Sequence, residues 1–139
     1  MLNKSLIQYV NRQVLKHAKG LQYSVKADAP STETALFSST SLVVWSGASD
    51  STIYQDALVN YAFRAWHDSL HLATGLDFSV DAEIELGRMQ ANQCDSDLMR
   101  ELVFCEVAGQ AMHYRNTGKF VENQVEFTVN YLKSKGLLK

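Results

Sequence analysis

Two histidines stand four residues apart in the run 59–75, VNYAFRAWHDSLHLATG, with an aspartate beside the first. Spacing of i and i+4 lets one helix offer two imidazole nitrogens to a single transition metal, whose tetrahedral zinc form takes them at about 2.0–2.1 Å. His67 and His71 are therefore candidate metal ligands. The alternative is a pair of core histidines hydrogen-bonded to partners such as Glu106 or a backbone carbonyl. Both readings require the run to be helical.

The pattern supports a helix. At 3.6 residues per turn Asn60, Arg64, His67 and His71 share one face, and Leu58, Ala62, Phe63, Trp66, Leu70 and Ala73 flank it. Polar groups among apolar neighbours are costly unless something satisfies them. The string His67-Asp68-Ser69-Leu70-His71 also has the shape of the H-E-x-x-H zinc motif, with aspartate at the position of the base. Aspartate is a methylene shorter, so it reaches less far toward a bound water.

A second polar stripe runs through the helix expected over 97–116. Leu102, Glu106, Gly109 and His113 fall together, an acid and an imidazole again lying among apolar groups. A mid-helix glycine costs roughly 1 kcal/mol relative to alanine, so Gly109 points to a close helix crossing or to room for a ligand. Glu106 and His113 can also be a helix-surface pair, although seven residues exceed direct i,i+4 contact. Packing the helices over 55–74 and 97–116 side by side brings His67, His71, Glu106 and His113 into one site. Such a site suits a divalent transition metal, zinc first, with manganese or iron as alternatives. Asp68 or Glu83 then serves as catalytic base, and Asn60 and Arg64 hold a polar or anionic part of a substrate. Glu83 follows the histidine pair after a short turn, and an antiparallel return brings it toward His71.

The remaining elements are those that must position these side chains. A first helix is expected over 3–18, with Asn3 as N-cap and Gly20 as stop, and His17 at the surface of its last turn. Alternation at Leu21, Tyr23 and Val25 suggests a strand, and SLVVW over 41–45 a second, so that a small two-stranded ribbon packs on helices. The stretch 27–34, with the one proline, reads as a loop. SGASDST over 46–52 reads as a capping loop in which Asp50 or Ser51 starts the central helix. About 16 residues of helix at roughly 1.5 Å each then separate that loop from His67 by some 24 Å. Asp77 or Ser79 caps a third helix, Ser96 a fourth that ends at Gly118, and a fifth runs over 121–135. Phe120, Phe127 and Tyr131 read as core. The fold class is mainly α: a compact bundle of about five helices with a two-stranded β ribbon in the N-terminal third, as one domain over 1–139.

Composition excludes some classes. A formal net charge of −2 over 139 residues gives no basic field for duplex nucleic acid or for an acidic membrane. No window nears the roughly 20 apolar residues that span a bilayer, and the first residues lack the apolar core of a signal peptide, so a cytoplasmic protein is expected. Cys94 and Cys105, without C-x-x-C spacing, read as free thiols, Cys105 in the core.

The run from Asn60 through His71, followed by Asp77-Phe78-Ser79 and an acid at Glu83, resembles a group of uncharacterised small proteins encoded by tailed bacteriophages. That likeness extends from about Val44 to the Phe120 region and implies a viral protein acting in the host bacterial cytoplasm. His67-Asp68 also resembles the His-Asp doublet of HD-domain phosphohydrolases, all-helical enzymes that bind divalent metals. In them an upstream histidine, here His17, and a downstream aspartate complete the site, but no helix-borne aspartate follows beyond Asp97. Two functions follow as expectations. One is a metal-dependent hydrolase acting on a phosphate-bearing small molecule or nucleotide. The other is a non-catalytic phage protein, with a structural metal or a buried His/Glu network, that binds a host protein. A homodimer is compatible with either.

Overall fold

Short polar side chains stand just ahead of each apolar-periodic stretch, and in the computed structural model of the chain they cap the helices. The structure describes residues 2–27, 36–37 and 42–139. Apart from Ala27, the expected loop over 27–34 lies outside the described residues, as does Ser41. Clustering of the backbone gives two compact units, Asn3–Gly75 and Leu76–Lys139, the second including Leu2.

The first unit contains α1 (Lys4–Ala18), β1 (Tyr23–Lys26), β2 (Leu42–Trp45) and α2 (Ala57–Thr74). Asn3 caps α1 by accepting from Leu6 N at 2.8 Å. The strands pair in parallel, from Tyr23 opposite Leu42 to Lys26 opposite Trp45. A two-stranded sheet is marginal alone, and here α2 packs on β2 while α1 packs on α2. Val10, Val14, Val44, Tyr54, Phe63 and Trp66 are buried. Phe63 meets Trp66 edge-on at 5.8 Å. His17, expected at the surface, lies flat on the Trp66 ring at 4.3 Å, because the last turn of α1 faces α2.

The central helix starts later than the capping loop suggests. Asp56, not Asp50 or Ser51, accepts from Leu58 N at 2.9 Å. Residues 51–55 form a separate turn, closed by Gln55 N to Thr52 O at 3.2 Å, which buries Thr52, Ile53 and Tyr54 before α2 begins. Gly75 ends the helix with a left-handed φ of 73°.

The second unit contains α3 (Val80–Asn92), α4 (Asp97–Phe104), a π-helical segment (Cys105–Gly109), α5 (Gln110–Thr117) and α6 (Gln124–Ser134). Ser79, Ser96 and Asn123 cap α3, α4 and α6. From α4 to α5 the chain is one rod interrupted by the wider π turn, so the described residues hold five helical rods and one two-stranded sheet. The class is mainly α, as expected. No helix among the described residues is long and apolar enough to cross a membrane.

Three expectations need correction here. The close crossing falls at Gly87, where an added Cβ would lie 2.9 Å from Ala108 Cβ, and not at Gly109, where it would meet Cys105 Sγ at an acceptable 3.4 Å. The last helix begins at Gln124, because Asn123 supplies the cap. Phe120 is 80% exposed and stacks on Tyr114 at 4.9 Å. It sits in the connection before α6, so no helix face carries it inward.

Candidate metal centre

Helix α2 is built to hold its side chains rigidly. Its 18 residues include no glycine or proline, Asp56 satisfies a first-turn N–H, and Gly75 N returns to His71 O at 2.8 Å. His71 is 1% exposed and His67 is half-buried. Their Nε2 atoms lie 3.1 Å apart, with the rings nearly perpendicular at 88°.

That separation admits two chemistries. One Nε2–H can donate to the other's lone pair, or both lone pairs can meet one cation. Two nitrogens bound at about 2.0–2.1 Å in a tetrahedral set sit roughly 3.3 Å apart, close to what the pair presents. Within the first unit, His67 and His71 thus offer two imidazole nitrogens that one metal ion could share. Paired imidazoles suit a transition metal better than a hard cation such as magnesium.

Glu106 and His113, expected as the other two ligands, have partners of their own in the second unit. Glu106 accepts from Gln110 Nε2 at 2.7 Å and is hydrogen-bonded by the Thr128 hydroxyl. Burial raises its pKa to about 8, with the Thr128 bond opposing. A metal at this carboxyl would have to displace its proton and compete with both hydrogen bonds. The His113 ring meets Phe127 edge-on at 5.5 Å. The π segment adds a residue to the turn, so Glu106 and His113 no longer keep the phase that an unbroken helix gives them.

Asn60 and Arg64 keep the expected face and have a different occupation. Asn60 Nδ2 donates to Ser49 Oγ at 2.9 Å. Arg64 Nη1 donates to Trp45 O at 2.6 Å and to Gly47 O at 2.5 Å, while the guanidinium lies 5.3 Å from the Trp45 ring centre. Burial lowers the Arg64 pKa from its ordinary value, and the Asp68 carboxylate one turn on opposes this. Together the two side chains tie the loop after β2 to α2. The expected 24 Å between loop and histidines fails for that reason: the loop doubles back along the helix, to the residue one turn before His67. A side chain at Gly47 would run into the Trp45 indole, so glycine is needed at this latch.

Both cysteines are buried free thiols. Burial pushes Cys94 up to about 11 and Cys105 to about 12, so both are thiols rather than thiolate nucleophiles at neutral pH. Comparison with protein-family models, curated proteins and solved structures gives no match for the chain.

Proposed function

We propose that the chain binds a divalent transition metal through His67 and His71, with zinc the best fit to paired imidazole donors. The observation that carries this reading is the 3.1 Å approach of the two Nε2 atoms on one capped helix. A site that keeps a coordination position open for water is the arrangement of hydrolytic rather than structural zinc. A divalent ion there would supply Lewis acidity and lower the pKa of a bound water to about 7. Asp68, next to His67, is the carboxylate on α2 that can take its proton. The activity we propose is hydrolysis of a phosphate-bearing small molecule or nucleotide, in the bacterial cytoplasm by the phage resemblance.

A second reading has its own observation. The loop after β2 occupies Asn60 and Arg64, the groups expected to hold an anionic substrate. This favours a structural ion in a protein that acts by binding a host protein.

Metal content by mass spectrometry, on protein purified without chelator or His tag, tests the site. Near-stoichiometric metal in the wild type, lost in His67→Ala and His71→Ala and retained in His113→Ala, is the expected result. No metal in the wild type after reconstitution overturns the metal reading. With metal present, turnover of phosphoesters that Asp68→Asn abolishes supports the hydrolase, and metal without turnover supports the structural reading.

A further inference from the structure

The second unit carries a cleft of about 530 Å³ that the histidine pair does not use. This is within the usual range for small-molecule sites. Arg88, Arg100 and Lys135 line it, with Asp97 and Glu101 as the lining acids. Three cations to two carboxylates is an excess of positive charge on a chain whose formal net charge is −2.

The acids are occupied by neighbours. Asp97 pairs with Arg100 at 2.5 Å, and Arg100 also donates to Cys94 O at 3.0 Å. Glu101 accepts from the Tyr131 hydroxyl at 2.7 Å. That bond, after burial, raises the tyrosine's pKa, so the phenol stays protonated and keeps donating. Arg88 has no ion pair among the described residues, and the Lys135 ammonium sits 5.5 Å from the Tyr131 ring centre. Two cations thus remain for an incoming anion. Phe104, Tyr131 and Leu137 supply an apolar wall against which a flat ring can lie.

We infer that this cleft binds a nucleoside monophosphate, its phosphate between Arg88 and Lys135 and its base against Phe104 and Tyr131. One dianionic group matches two cations that no carboxylate pairs with among the described residues, and the wall gives the base a surface that inorganic phosphate cannot use. The site shares no residue with the proposed metal centre and does not depend on it.

The test is a residue-resolved NMR titration of the full chain with adenosine 5′-monophosphate in EDTA, which silences any metal-dependent binding. Shifts should cluster at Arg88, Phe104, Tyr131 and Lys135, with adenosine and inorganic phosphate each binding more weakly. The exposed side chains of Arg88 and Lys135 can be removed without disturbing the core, and the R88A/K135A double variant should lose about tenfold in affinity. Arg115→Ala, whose guanidinium pairs with Asp81, should bind as wild type. The inference is overturned by an absence of shifts at these residues, by adenosine binding as tightly as the monophosphate, or by a double variant that binds like wild type.

Discussion

Glu106 shows how much one buried carboxyl can govern. Its pKa of about 8 in the folded chain lies above the ordinary 4.5, because burial penalises the charged form. The folded state therefore binds the proton more tightly than the unfolded state. Stability falls as pH rises from the ordinary value through the folded one. Glu106→Gln should remove most of that slope and raise stability at pH 8, which urea melts at several pH values will measure. At this scale the sequence was legible where spacing alone decides. The i,i+4 histidines converge as their positions require. Asn60 and Arg64 lie on the expected face, yet their partners are Ser49, Trp45 and Gly47. Helical periodicity gives a side chain's direction and carries no information on which way a preceding loop turns back.

Elements were legible at their ends and less so in their interiors. Asn3, Ser79 and Ser96 cap as their types predict, and Gly75 and Gly118 stop helices in left-handed conformation. Asp56 was missed because Asp50 and Ser51 are equally good cap formers, and only tertiary burial of Ile53 and Tyr54 delays the helix. The π segment had one visible trace, the glycine at its end. Its packing explains the other: Gly87 lets α3 approach Ala108 so closely that no side chain fits between them. Gly87→Ala gains helix propensity but forces the contact apart, and overpacking of this kind costs on the order of 1–3 kcal/mol. A net loss of stability is expected in thermal unfolding, whereas Gly109→Ala, with room for its methyl, should be much milder.

For the whole molecule, the mainly α class with one short sheet followed from periodicity, turn residues and length. The parallel sense of the two strands did not, since alternation is the same in either direction. Metal linkage is the prediction that belongs to this scale. An ion that binds only the folded chain stabilises it by about 2.7 kcal/mol at a hundred times its Kd. Zinc should therefore raise the unfolding temperature and EDTA should reverse the shift, with His71→Ala blind to both, as calorimetry will read. The π segment also sets which changes in chain length the protein can accept. It acts as a frame shift within a helix: from Gln110 to Thr117, every residue is assigned to its face by the one extra position upstream. Removing any single residue from Cys105–Gly109 would leave a regular helix and reassign His113 from its place against Phe127, without altering a single amino acid beyond the deletion. The same loss between Gly118 and Asn123, where no helical phase is kept, would change only the reach of a loop.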